Sequence, residues 1–313
     1  MMKKAALWMV LLFLTIGFGT INRDYVRNQL ILAEEEDQYN ITMKQDLLCL
    51  MMAYPGYITG IEAENDKDIF IVMRSGRRIL YDDKREKNFQ EKLINPDLQD
   101  MLEQIYPLQD IQSLMAPNLD PGRIRVYPFL HEIYGNSKTQ VEGNLTNVKA
   151  GSQYLLFNEQ NGAAEALDLV IDELVPMAGN NPRIYSFVFP MSGTFNYRNI
   201  AGTGQLSPHA FGTAIDLARN NKDYWKWTTR EEGEKRLAVY PREIVEIFEK
   251  NRFIWGGKWA HFDILHFEYR PELILKSRYF SKKVKPDQHW YEGLASLDDT
   301  TRSYIQMIES ALD

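Results

Sequence analysis

The chain has a single cysteine, Cys49, among 313 residues. No intramolecular disulfide can form, and a closed, cysteine-rich structural metal site is excluded with it. Cys49 lies in the apolar run Leu47-Leu-Cys-Leu-Met-Met52 and reads as core packing. Basic stripes are also lacking. The formal net charge is −7, so nothing is arranged to neutralise a phosphate backbone, and nucleic acid is excluded as a partner. Internal repeats and low-complexity linkers are absent, which leaves a chain long enough for one large or two modest domains.

The first residues present a positive segment, Met1-Met-Lys3-Lys4, followed by Ala5 to Ile21 without a charge. That order reads as an export signal. No Ala-x-Ala cleavage site follows, which favours an uncleaved anchor over residues 5–21, with Lys3 and Lys4 inside and the remainder extracytoplasmic. The alternative is cleavage near Gly19 or Thr20 and secretion. No cysteine follows the apolar run, which argues against a lipoprotein.

Four regions are expected: residues 1–22 as signal peptide or membrane anchor, 23–110 as spacer and small accessory region, 111–280 as the catalytic domain and 281–313 as a C-terminal helical tail. Within them, Asp68–Met73 and Arg78–Tyr81 flank Ser75-Gly76 as a hairpin. Asn95-Pro96 predicts a helix to Tyr106 with proline at its first position. Leu167, Val170, Ile171 and Leu174 predict an amphipathic helix over 163–177. Arg183–Phe189 reads as a strand ended by Pro190. Pro241–Lys250, with Ile244, Ile247 and Phe248 on one face, reads as a helix, as does Ser296–Leu312.

The chemistry is concentrated in two segments. Ser207-Pro-His209-Ala-Phe-Gly212-Thr-Ala214-Ile-Asp216 is followed by Asp263-Ile-Leu-His266-Phe-Glu268. Together they supply two imidazoles and a carboxylate for a metal, with a carboxylate to spare for proton transfer. If the first segment is extended, Ser207 and His209 share a face by period two, and Gly212 permits a bend before a buried strand over 213–218. Asp216 in such a strand is an unpaired charge unless it meets a cation. His266–Tyr269 reads as a second strand with Asp263 at its entrance.

These motifs resemble the D-Ala-D-Ala carboxypeptidase and L-Ala-D-Glu endopeptidase group of zinc peptidases. The resemblance extends to Arg198-Asn-Ile-Ala-Gly202-Thr-Gly-Gln-Leu-Ser207 before the first ligand and to Phe253-Ile-Trp255-Gly-Gly-Lys-Trp259 before the second. It covers residues 150–275 well. It implies an α+β fold in which a small antiparallel sheet carries the ligands and helices pack on one side, as in hedgehog-type domains. It further implies one zinc ion on His209, Asp216 and His266. Asp263 is then the general base for the metal's water, and Arg198 the electrostatic aid at the carbonyl oxygen or the substrate carboxylate. Many members of the group carry Glu at the base position, and Asp here is one methylene shorter.

Other residues near these motifs have alternative readings. His261, two residues before Asp263, could ligate by composition, but the family pattern passes over it. Glu268 shares the His266 face by period two, so it either orients an imidazole or forms a salt bridge. Ser207 reads as a structural or substrate-contacting hydroxyl, because no Gly-x-Ser-x-Gly elbow surrounds it. Trp255 and Trp259 read as core or cleft wall. The function expected is an exported D-alanyl-D-alanine carboxypeptidase acting on peptidoglycan stem peptides. An L-alanyl-D-glutamate endopeptidase and a non-catalytic zinc-containing cell-wall binding module remain as alternatives.

Overall fold

The computed structural model describes residues 23–65, 68–285 and 288–312. The expected signal or anchor, residues 1–22, lies outside the described residues. The chain divides into two units, Met1–Thr42 and Met43–Asp313. A helix runs Arg23–Ala53. In the first unit its acidic run, Glu34–Asp37, is exposed. From Met43 onward, in the second unit, the same helix is apolar and buried: Leu47, Leu48, Cys49 and Leu50 are fully covered, so Cys49 packs as read.

The second unit is α+β, built on three small antiparallel sheets. Strands β1 (Ile58–Glu64), β2 (Asp68–Met73) and β3 (Arg78–Leu80) form the first, in that order, with the β2–β3 hairpin where Ser75-Gly76 placed it. The second pairs β4 (Leu145–Ala150) with β5 (Gln153–Asn158). The third is ordered β6-β8-β7, from β6 (Ala214–Asp216), β7 (Phe253–Trp255) and β8 (His266–Tyr269). Every residue of the central β8 is buried, as a strand flanked on both edges and covered on both faces must be.

Helices cover these sheets. Ala163–Asn180 packs Leu167, Val170, Ile171 and Leu174 against β4 and β5, on the periodicity read from sequence. Arg242–Lys250 packs Ile244, Val245 and Phe248 against β7, with Val245 rather than Ile247 completing the buried stripe. Phe248 stacks on Phe267 of β8 at 3.8 Å between ring centroids. The C-terminal helix Asp299–Leu312 buries Thr301, Ile305 and Ile308 and contacts β1, so it is docked.

Two expectations are corrected. Arg183–Phe189 is not a strand but the helix Pro182–Val188. Its start is dictated by Asn181, whose side chain accepts the N–H groups of Arg183 and Ile184, with Pro182 at the first helical position. The alternating apolar pattern is weaker than that cap. The helix expected over 95–106 is only Leu98–Leu102. Asp97 caps it in a reciprocal box with Asp100, so Pro96 lies before the cap.

The structure also places residues 43–110 within the same compact unit as the third sheet. Buried polar contacts tie them down. Tyr54 donates to Glu272 at 2.6 Å, Lys276 lies 2.5 Å from Asp46, and Tyr81 donates to Asp46 at 2.9 Å.

Candidate metal centre

Three local structures deliver the expected ligands. The first is corrected from the extended reading. Pro208–Phe211 is a 3₁₀ turn, started by Ser207, whose hydroxyl accepts the His209 N–H at 3.3 Å. Ser207 is therefore a buried cap that sets the path of the ligand turn. Gly212 ends the turn at φ +68°, and a Cβ there would fall 2.6 Å from Leu145 Cδ2. Only glycine fits both the left-handed backbone and the contact with β4. The chain then enters β6, which ends at Asp216. The register of β6 on β8 places Asp216 directly opposite His266. Two expected ligands fifty residues apart thus become a cross-strand pair with side chains on one face.

Nε2 of His209 lies 3.2 Å from Nδ1 of His266 and 3.2 Å from Oδ1 of Asp216, and Nδ1 of His266 lies 2.9 Å from the same oxygen. Nδ1–H of His209 donates to the Thr194 carbonyl at 2.6 Å. That bond fixes the tautomer and leaves Nε2 as a lone pair facing the cluster. Ligand atoms bound about 2.0–2.1 Å from one tetrahedral ion sit roughly 3.3 Å apart. The triangle matches zinc in size and donor type, and among the described residues no fourth His, Cys, Asp or Glu is grouped with it. An open position is what a hydrolytic zinc requires.

Electrostatics agree with a cation at this point. Burial opposes the charge on Asp216, but the two imidazoles outweigh it and hold the carboxyl far below its ordinary range. Burial also works against a charged His209, and there Asp216 and the Thr194 carbonyl win and raise it. His266 goes the other way: burial lowers it more than Asp216 restores. Neutral His266 beside ionised Asp216 is the protonation state a metal takes.

Asp263 closes the arrangement. Its N–H donates to Gly256 and its carbonyl accepts the His266 N–H at 3.1 Å, so a turn binds it to the ligand strand. Its carboxyl is pushed well up, by burial first and then by the like charges of Asp216 and Asp223, against the opposing pull of Arg123 and Arg198. A carboxylate with raised proton affinity beside the expected ligands has the chemistry a general base needs. Arg198 is exposed, and its charge is felt at both His209 and Asp263.

Residues 201–269 match the family model for D-alanyl-D-alanine carboxypeptidase. The matched D-alanyl-D-alanine carboxypeptidase segment holds His209, Asp216, Asp263 and His266, and it leaves Arg198 just outside. The resemblance read from sequence is thereby supported over the stretch that carries the expected ligands. It supports a metallopeptidase of this general kind. No curated protein and no solved structure matches the chain.

The remaining expected residues have other partners. His261 contacts Asp120 through both its N–H (2.8 Å) and Nδ1 (2.8 Å) and stacks on Phe89, outside the cluster. Glu268 does share the His266 face, yet its carboxylate takes a two-pronged bond from the buried Arg125, with Arg270 at 3.7 Å, rather than orienting an imidazole. Trp259 is buried, its ring 5.7 Å from that of His266, and donates to the Pro121 carbonyl at 2.7 Å; it is wall. Trp255 is core. Sequence reasoning missed Thr194, whose carbonyl orients His209, and Arg123, which pairs with Asp120 and whose charge is felt at Asp263. A backbone acceptor leaves no mark in sequence, and Asp120-Pro-Gly-Arg123 carries only a turn signal.

Proposed function

We propose that this protein is an exported zinc peptidase that removes the terminal D-alanine from peptidoglycan stem peptides. The observation that carries the reading is the convergence of His209 Nε2, Asp216 Oδ1 and His266 Nδ1 into one triangle, beside the half-buried Asp263. These three residues would hold a zinc ion, which would supply Lewis-acid polarisation of the amide and lower the pKa of water towards neutrality. Asp263 takes the proton that water loses and returns it to the departing amine. Its raised affinity for a proton suits both transfers. Arg198 presents positive charge where the carbonyl oxygen becomes anionic. Thr194 holds His209 in the ligating tautomer, and Trp259 seals the wall behind His266. The apolar residues 5–21 after Lys3 and Lys4 support an extracytoplasmic, membrane-anchored location.

The test is mass spectrometry of a stem pentapeptide incubated with the zinc-loaded full chain in detergent, with a chelated control. Loss of one alanine, abolished by the chelator, is expected. A dipeptide and tripeptide pair would instead identify the L-alanyl-D-glutamate endopeptidase. No cleavage with zinc bound would favour the cell-wall binding module and overturn the enzymatic reading.

A further inference from the structure

A row of aromatic rings lies beside Asp263 and has no part in the chemistry assigned so far. Phe89, which opens the helix Phe89–Ile94, stacks on His261 at 5.7 Å between centroids. His261 meets Trp225 at 4.6 Å, Trp225 meets Tyr224 at 6.1 Å, and Tyr224 meets Trp227 at 5.1 Å. The last three contacts are T-shaped, so ring faces alternate with ring edges along the row. Core rings such as Trp255 and Phe253 are fully covered, whereas none of these five is buried and Trp227 is 49 % exposed. Tryptophan and tyrosine kept at a surface in one contiguous patch are characteristic of a binding face.

The row is fixed to the segment that carries Asp263. The Tyr224 backbone pairs with that of Asp263, the Ile264 N–H donates to the Asp223 carbonyl at 2.7 Å, and the Trp225 N–H donates to Phe262 at 3.0 Å. Asp223 is fully buried, and its carboxylate accepts the Asn220 N–H at 2.9 Å and Arg236 Nε at 2.7 Å, which locks the base of the loop. At its tip the Trp227 N–H donates to the Tyr224 carbonyl at 2.8 Å. Rings held in this way lose little freedom when they meet a ligand. Two cations accompany them. The Arg219 guanidinium lies 4.4 Å over the Trp227 ring and the Lys226 ammonium 5.2 Å over that of Trp225. Both are exposed, and among the described residues neither pairs with a carboxylate, although the chain carries a net charge of −7.

A pyranose has the complementary surface. Its C–H groups form an apolar, slightly positive face that stacks on the negative face of an aromatic ring, while its hydroxyl and acetamido oxygens accept from cations at the rim. We infer that this row binds the amino-sugar chain to which the stem peptide is attached, so that the protein acts on glycan-linked peptide in preference to free peptide. The inference rests on the peptidase reading and goes beyond it, because it names a second component of the substrate and the residues that meet it. The backbone pairing of Tyr224 with Asp263 makes the sugar surface continuous with the segment of the expected base.

The experiment compares the zinc-loaded full chain in detergent with its Trp227→Ala and Trp227→Phe variants. The substrates are one stem pentapeptide, free and attached to its N-acetylglucosaminyl-N-acetylmuramoyl disaccharide. In the wild type kcat/KM favours the disaccharide-linked form. Trp227→Ala lowers the linked-to-free ratio roughly 5- to 20-fold, the range expected for one lost stacking contact, mainly through KM. Trp227→Phe restores part of the ratio. The peptide-free disaccharide, titrated into the zinc-free chain, shifts the tryptophan emission of the wild type to shorter wavelength, and Trp227→Ala abolishes that shift. A wild-type ratio of one, or a ratio that Trp227→Ala leaves unchanged, overturns the inference and spares the peptidase reading. An equal loss on both substrates also overturns it, and assigns the row to the peptide or to the loop's own packing. A wild type that cleaves neither substrate overturns the peptidase reading, and the sugar-binding row then stands or falls on the emission shift.

Discussion

At the scale of single residues, the proposed site separates holding a metal from moving a proton. His209, Asp216 and His266 meet within hydrogen-bond distance, whereas Asp263 belongs to no metal-sized group. Asp263→Ala is therefore expected to keep its zinc and lose roughly 10²- to 10⁴-fold in turnover. His266→Ala should lose both, and metal content measured beside activity distinguishes the two. Asp263 also makes a pH prediction for the chelated protein. Its folded pKa is raised above the unfolded value by burial, Asp216 and Asp223. The folded state thus keeps the proton to higher pH than the unfolded chain, and stability falls as pH rises from about 4 towards the folded pKa. Asp263→Asn should remove that slope, read as the difference between wild-type and variant melting temperatures across the interval. Parallel curves would show that the carboxyl is not strained. His209, Asp216 and His266 were legible as residue types with suitable chemistry. Thr194 was not, because its contribution is a carbonyl that every residue possesses.

At the scale of elements, two short strands and one turn decide the geometry. β6 and β8 bring Asp216 opposite His266, and the 3₁₀ turn of Pro208–Phe211 brings His209 over them. Gly212 joins turn to strand. Its φ of +68° and the 2.6 Å approach to Leu145 mean that Gly212→Ala should cost about 1–2 kcal/mol from the backbone alone, and more from the clash. Urea denaturation reads the cost. Zinc affinity should fall with it, since the same residue spaces His209 from Asp216. The extended reading of Ser207–His209 failed for a physical reason. A serine cap followed by proline starts a helical turn, as Asn181-Pro182 does for the helix misread as a strand. Capping chemistry overrode apolar alternation at both places. Where several turns of consistent periodicity were available, as in Ala163–Asn180, sequence and structure agree.

At the scale of the molecule, a chain of buried charges runs beneath the site. Arg125 bonds Glu268, Glu268 faces Arg270, Arg270 donates to Glu272 at 2.5 Å, and Glu272 accepts from Tyr54. Lys276, on the same helix as Glu272, pairs with Asp46. Residues 43–54 are thereby joined to the segment that carries His266. Lys276→Met should strand Asp46 as a buried charge and cost about 3–5 kcal/mol, measured by thermal unfolding. Adding Asp46→Asn should recover part of the loss, and no recovery would show that the pair acts through packing instead. From sequence alone, residues 23–110 could be a separate module or an extension packed on the catalytic domain. Neither apolar patterning nor charge marks which buried acid meets which buried base, because partners such as Asp46 and Lys276 are separated by most of the chain. What the sequence determined by itself was the chemistry and the local periodicity: two histidines and two aspartates of suitable type, the amphipathic helices, and the hairpin around Ser75-Gly76. Those follow from side-chain identity and nearest-neighbour spacing. Only the tertiary structure decided the strand register that pairs Asp216 with His266, the carbonyl that orients His209, and the pairing of Asp46 with Lys276. Each depends on distances between segments that no local pattern encodes.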